Sequence, residues 1–204
     1  FRFTIPTNGV LLNDDIMDFC NKEMSNVVMS LDGRKDVNDR MRPFRNGSGS
    51  YELTVPKFQK FAKSRGQKDY YVRGTFTRHN LDFAADVLHY ADLGFEQMSM
   101  EPVVSDPAEE YSIREEDIPV ILAEYDKLAL EYIKRKKEGR GFNFFHFMLD
   151  LTAGPCVAKR MAGCGSGTEY LAVTPWGDFY PCHQFVGQEQ FLMGNVDTGI
   201  VNTD

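Results

Sequence analysis

The sequence has no basic excess, no long apolar run and no disulfide framework. Its 204 residues carry 23 Lys and Arg against 30 Asp and Glu, a net charge of −7. That balance argues against general nucleic-acid binding. No apolar run is long enough to cross a bilayer, and neither a signal peptide nor a membrane span is evident, so no membrane partner is expected. Cysteine is scarce: Cys20, Cys156, Cys164 and Cys182 are the full set. Nothing marks secretion, so a cytoplasmic setting is expected, where clustered cysteines more often bind metal or do redox chemistry than form disulfides. The chain opens on Phe1 inside a strand-like run and closes on Asn202-Thr203-Asp204 after a hydrophobic stretch. Further sequence is expected on both sides.

What is present is an alternation of strand and helix patterns over residues 1–137. Phe1 to Ile5 reads as a strand ending at Thr7-Asn8-Gly9. A helix follows from about Asp14, with Ile16, Phe19, Cys20 and Met24 on one face. Asn26 to Leu31 is the next strand, stopped by Asp32-Gly33. Pro56 is expected to open a helix that Gly66 ends. Tyr70 to Thr77 is a third strand, Asn80 caps a helix closed by Gly94, and Phe95 to Met100 is a fourth strand. Asp117 is placed to cap a long helix with Pro119 in its first turn. Its stripe is Ile118, Ile121, Leu122, Tyr125, Leu128, Ala129, Tyr132 and Ile133, and its basic end, Lys134–Lys137, reads as a solvated C-terminus. Such alternation implies an α/β fold with a parallel sheet; a barrel and a doubly wound sheet both fit. The pattern changes after about Gly139, which sets regions 1–140 and 141–204, the latter with a hairpin from Tyr170 to Cys182.

Parity along the strands adds a clue. Arg73, Thr75 and Thr77 share one face; so do Ser30 and Asp32, and Gln97, Ser99 and Glu101. Polar faces on successive strands suggest a lined crevice at the strands' C-terminal ends, with an edge strand facing water as the alternative. The long connection from Asp32 to Glu52, with Arg34, Lys35, Arg40, Arg42 and Arg45, is a candidate anion holder or simply a solvated basic loop.

The cysteines fall as C-x7-C-x17-C over Cys156, Cys164 and Cys182, with Gly163, Gly165 and Gly167 around the middle one. Three thiolates gathered by a hairpin need a shared cation, and an iron–sulfur cluster and zinc both satisfy that. His183 also permits a Cys3His zinc site, and three unrelated buried thiols are the plain alternative. Cys20 sits on a helix's apolar stripe, where a small core residue is the default.

Cys164, Gly177 and Cys182 are spaced C-x12-G-x4-C, which resembles the opening of the SPASM domain of radical S-adenosylmethionine (SAM) enzymes. Thr7-Asn8-Gly9, Ser30-Leu31-Asp32-Gly33, Asp39-x-x-Arg42 and Gly47-x-Gly49-Ser50 are similar to markers after the third and fourth barrel strands of that family. The wording of Gly163 to Pro175 and of Tyr180 to Gly187 resembles the maturases that put thioether crosslinks into cysteine-rich SCIFF peptides.

The resemblance spans essentially the whole chain. It implies part of a (β/α)6 partial barrel over residues 1–140, then a linker helix and the first part of a SPASM domain with a β-hairpin over 141–204. The implied cofactors are SAM and [4Fe–4S] clusters. A 5′-deoxyadenosyl radical abstracts a substrate hydrogen, and the carbon radical couples to a cysteine sulfur. The implied partners are a cysteine-rich precursor peptide and an electron donor such as flavodoxin or ferredoxin. Residue by residue, Ser30 and Arg42 match SAM-contacting positions, Arg42 through the SAM carboxylate. Arg73 is a further crevice candidate on strand parity. Cys156, Cys164 and Cys182 match ligands of the first auxiliary cluster. His183 stands where sulfatase maturases carry a proton-accepting Asp, so it is a candidate proton acceptor or a hydrogen-bonded neighbour of the cluster. The C-x3-C-x2-C loop that holds the SAM-cleaving cluster is absent from these residues, so the chain alone is not expected to cleave SAM. A sulfatase-maturase-type oxidase, a zinc-binding module on an α/β scaffold and an unrelated barrel enzyme remain as alternatives.

Overall fold

Short β-branched and aromatic runs alternate with amphipathic segments, and the result is five parallel strands joined by helices. The computed structural model describes residues 1–148 and 165–202. The elements are β1 (Thr4–Thr7), α1 (Asp14–Glu23), β2 (Asn26–Ser30), α2 (Lys35–Met41), α3 (Tyr51–Ser64), β3 (Asp69–Phe76), α4 (Phe83–Asp92), β4 (Gln97–Pro102), α5 (Ile118–Lys137) and β5 (Asn143–Phe144). The sheet runs β1-β2-β3-β4-β5 and every neighbouring pair is parallel. Strand order never reverses, which is the order of a barrel wall; a doubly wound sheet must reverse.

One face of the sheet is apolar. Val27, Met29, Val72, Phe76, Met98, Met100 and Phe144 are buried on it, against Phe58 and Phe61 of α3, Phe83 and Tyr90 of α4 and Leu128 of α5. Each large side chain buried this completely contributes about 1.5–3 kcal/mol. The opposite face carries Ser30, Arg73, Thr75, Ser99 and Glu101, with Ser30, Arg73 and Ser99 in register across three strands. Arg73 is exposed although its strand is central. The edge-strand reading therefore fails, and the polar face is an open wall of the sheet.

Several boundaries differ from the sequence expectation. β1 begins at Thr4, leaving Phe1 and Phe3 exposed. In α1, Met17 and Cys20 are buried while Ile16 and Phe19 face outward. α3 begins at Tyr51 and contains Pro56, because α2 supplies an acceptor for its first amide: Tyr51 N donates to Asp39 Oδ1 at 2.8 Å. The connection after β2 is not all loop; it holds α2. α5 begins where expected, with Asp117 at the N-cap position and Pro119 in the first turn, but Asp117 does not cap it with its side chain: Oδ2 accepts from Arg114 N at 2.9 Å, in the turn before the helix. Its inward seam is narrower than the predicted stripe: Ile121 and Leu128 are buried, whereas Ile118, Leu122 and Ile133 are exposed. Among the described residues, no helix is long and apolar enough to cross a membrane.

The chain divides into two units, Phe1–Leu149 and Asp150–Asp204. The division falls inside the stretch, residues 140–153, where the change of sequence pattern places a boundary. The Phe-rich stretch pairs with β4 as β5 and buries Phe142 and Phe144 in the first core, so residues 142–148 belong to the first unit; a linker helix beyond them falls on residues 149–164, outside the described residues. In the second unit, β6 (Ala172–Val173), β7 (Asp178–Tyr180), β8 (Gly194–Asn195) and β9 (Gly199–Ile200) form an antiparallel sheet. The expected hairpin is β6–β7, closed by Thr174 N to Asp178 O at 2.9 Å.

Candidate functional site

The segment after β2 is pinned by side chains rather than by regular structure. Asp32 is 4% exposed, and its carboxylate takes three bonds. Arg42 donates to it from Nε at 2.7 Å and from Nη2 at 3.0 Å, and Thr75 N donates at 3.0 Å. Asn38 bridges the segment, accepting from Asp32 N at 3.3 Å and donating to Ser50 Oγ at 3.1 Å. Gly33, at φ +133°, lies so close to Asp86 that a Cβ there would sit 2.4 Å from its carboxylate. That closeness lets Asp86 accept from both the backbone N and the Nε of Arg34, each at 2.8 Å. The motifs Ser30 to Gly33 and Asp39 to Arg42 thus become one scaffold.

Most of the segment's cations are matched internally. Arg34 pairs with Asp82 and Asp86, whose hydrogen bonds raise its pKa further, and Lys35 pairs with Glu52. Arg40 and Arg45 are exposed. The segment is therefore not a diffuse anion holder.

A crevice of about 550 Å³ opens beside it, lined by Asn8, Leu11, Ser30, Arg42, Phe44 and Ser50 among others. The structure so brings Ser30 and Arg42 together. Arg73 is Ser30's register partner on the neighbouring strand, on the same polar face. Asp32 uses two of the five guanidinium N–H groups of Arg42, and three remain for a ligand. Hydroxyls, a cation and apolar patches in one crevice suit a sulfonium amino acid joined to a nucleoside.

Further along the same wall lies a chain of polar groups that the sequence reading did not assemble. His146 Nε2 is 3.0 Å from Glu101 Oε2, and its Nδ1 is 3.2 Å from the Tyr125 hydroxyl. Strand parity placed Glu101 on this face, but nothing local in the Phe-rich stretch singled out His146. Burial, and then the Glu101 charge, push the Tyr125 phenol above its ordinary pKa.

In the second unit, Cys182 is buried, with Sγ 3.4 Å from His183 Nδ1. Gly167 N and Ser166 Oγ both donate to Pro181 O at 3.0 Å, which fixes the backbone just before Cys182. Gly177, at φ +89°, sits in the hairpin turn where a Cβ would meet Val196 at 2.6 Å, so the glycine of the cysteine motif is a backbone requirement. Cys156 and Cys164 lie outside the described residues. Of the three candidate ligands, Cys182 is the one among the described residues, and its sulfur lies beside an imidazole. Cys20 is a buried core residue of α1 whose thiol pKa is raised by burial.

No protein-family model matches the chain. A curated "uncharacterized protein" of Archaeoglobus fulgidus is 26% identical over 198 residues, 94% of this chain and 45% of that protein. A cysteine-type anaerobic sulfatase-maturating enzyme of Clostridium novyi is 25% identical over 208 residues, 96% of this chain and 52% of that enzyme. Among solved structures, anSMEcpe with bound AdoMet superposes with a TM-score of 0.71 at 17% identity, covering 94% of this chain and 51% of that one. SuiB of Streptococcus suis bound to S-adenosylmethionine superposes at 0.58 with 15% identity, covering 94% and 45%. The chain spans about half the length of the curated relatives it matches. Over that span it has the fold of the radical SAM/SPASM maturases.

Proposed function

We propose that this chain is part of a radical SAM maturase that acts on a ribosomally made peptide. The observation that carries the reading is the crevice at the C-terminal ends of parallel strands, where Ser30 and Arg42 meet beside a fixed carboxylate. Solved neighbours bear on the substrate class, since anSMEcpe and SuiB are described with bound peptides. When bound, SAM and its iron–sulfur clusters supply hydrogen-atom abstraction and a sink for one electron.

This chain's residues do the holding. Ser30 and Arg42 would orient SAM, with Arg42 donating to its carboxylate through N–H groups that Asp32 leaves free. Asp32 in turn keeps the guanidinium from swinging out to water. Arg73 would face the substrate side of the same wall. Cys156, Cys164 and Cys182 would hold an auxiliary iron–sulfur cluster. His183, with Nδ1 next to the Cys182 sulfur, would tune that ligand or take up a proton.

The finer reading is thioether formation in a cysteine-rich precursor peptide, with flavodoxin or ferredoxin as electron donor. It is supported by the sequence wording around Cys164 and Cys182. Iron and acid-labile sulfide per chain, measured after anaerobic reconstitution in wild type and Cys182→Ser, test the cluster. Loss of both in the variant supports the assignment, and stoichiometric zinc without sulfide sinks it in favour of a structural zinc module. Incubating the full-length enzyme with a cysteine-rich peptide encoded beside its gene tests the reaction. A mass loss of two hydrogens per crosslink, with the thiols no longer alkylatable, is the expected product.

A further inference from the structure

The Tyr125–His146–Glu101 chain has no role in that reading, yet its geometry is specific. Glu101, when ionised, can only accept, so His146 Nε2 carries the proton of the 3.0 Å contact. Nδ1 is then the lone-pair nitrogen, and the Tyr125 hydroxyl donates to it at 3.2 Å. The two rings lie nearly parallel, 18° apart with centroids 6.2 Å apart. Phe83 packs edge-on against Tyr125 at 4.8 Å, and Phe144 and Phe145 flank His146 at 5.3 and 5.9 Å. The order phenol, imidazole, carboxylate repeats the logic of a hydroxyl activated by a histidine whose far nitrogen faces an acid.

We propose that Tyr125 is a redox-active tyrosine that gives up one electron reversibly, with its proton moving to His146 and the resulting imidazolium held by Glu101. A phenol that loses an electron becomes a strong acid, so oxidation at moderate potential requires a base already hydrogen-bonded to the oxygen. His146 is that base, and Glu101 stabilises the charge it acquires. In the step, the Tyr125 O–H bond breaks, the electron leaves to the oxidant and the proton stays on Nδ1. Return of one electron and that proton restores the phenol.

Tyr51, Tyr70 and Tyr90 lack the arrangement. Tyr90 donates to the Leu31 carbonyl, and Tyr70 accepts from Glu96 N, so neither has a base on its oxygen. Tyr51 meets His89 at 2.7 Å, but burial lowers the basicity of His89. Among the described residues no carboxylate bonds the other nitrogen of His89.

The purpose, though not the chemistry, rests on the maturase reading. A stray substrate carbon radical would take the Tyr125 electron and a solvent proton to become a closed C–H bond. A thiol reductant would then return the electron to Tyr125. The site protects the wall on which the radical is generated.

The test is flash oxidation of the 204-residue chain by photogenerated tris-bipyridine ruthenium, with optical and EPR detection. Wild type is expected to give a neutral tyrosyl signal that forms more slowly in deuterated buffer. His146→Gln should slow its formation roughly a hundredfold, the low end of what a positioned base contributes, and abolish the deuterium effect. Glu101→Gln should fall between the two, and Tyr51→Phe should match wild type. Fluorotyrosine at position 125 keeps the packing and should add fluorine splitting to the EPR spectrum. Absence of that splitting, or a His146→Gln variant oxidised at the wild-type rate, overturns the proposal. The experiment needs neither SAM nor a cluster, so its failure leaves the maturase reading standing.

Discussion

Arg42 grips Asp32 at two points, Nε to Oδ2 at 2.7 Å and Nη2 to Oδ1 at 3.0 Å, across one wall of the crevice. Asp32 is nearly buried, whereas the Arg42 side chain keeps 35% of its exposure. The two truncations are therefore unequal. Asp32→Ala orphans Thr75 N as well as the guanidinium and should cost about 2–3 kcal/mol. Arg42→Ala leaves a carboxylate that still has an amide donor and water within reach, and should cost about 1 kcal/mol. Urea unfolding of both and of the double variant checks this, and a coupling energy near zero would mean that the pair is only coincident in space.

At the opposite end of the strands, Arg65 is 3% exposed and ties two loops together. Its guanidinium donates to the carbonyls of Cys20, Met24, Ser25 and Asp69 at 2.9–3.2 Å. Burial lowers its pKa, but its charge is spread over carbonyl dipoles rather than matched by one acid. Arg65→Met should cost roughly 3 kcal/mol, because several buried carbonyls lose their donor at once. Arg65→Lys should recover little of it, since a point ammonium cannot span four acceptors. Thermal unfolding midpoints of the two variants would separate lost charge from lost fork geometry.

The pH dependence of stability should carry a signature of His89. Its pKa is lowered, first by burial, with Asp86 and Asp92 opposing the shift. Folding thus favours the neutral ring. The contribution is fully present above the ordinary histidine value, about 6.5, and is lost as pH falls from there toward the lower folded-state value. His89→Gln should flatten the stability profile across that window. Urea midpoints at several pH values below neutrality are the measurement, and an unchanged slope in the variant would assign the dependence to other groups.

Strand parity in the sequence revealed the polar wall: Ser30, Arg73, Ser99 and Glu101 face the same way because side chains alternate along each strand. Pro119 marked the start of α5 correctly because it acts locally, whereas Asp117 holds the N-cap position but turns its carboxylate back to Arg114 N. α2 left no such trace. Its sequence Lys35 to Met41 has no apolar stripe, and it is held by Asn38 reaching to Ser50 and by the acceptor network of Asp32. His146 was equally silent, since its partners lie 21 and 45 residues away. Long-range hydrogen bonds between side chains have no local pattern to read. The outward turn of Ile118, Leu122 and Ile133 on α5 has the same cause: periodicity gives a stripe, and only the neighbouring elements decide which edge of it is covered.

Pro56 sits at the sixth position of α3, on an exposed site, where its ring nitrogen cannot donate to the Glu52 carbonyl. A proline reads as a helix start in sequence because the first turn needs no donor there. Here the helix starts five residues earlier, since Asp39 accepts from Tyr51 N and the Ser50 carbonyl accepts from Thr54 N at 3.1 Å. Pro56 is therefore tolerated rather than required. Pro56→Ala should restore one intrahelical bond and raise stability by about 1 kcal/mol, well short of the ~3 kcal/mol typical of a mid-helix proline, because the site is close to the N-terminus. The unfolded chain gains freedom in the variant, which offsets a few tenths of that. A raised thermal midpoint with unchanged far-ultraviolet dichroism is the expected result. A lowered midpoint would show instead that the proline's fixed φ helps hold the α3 entry against the Asp39 cap.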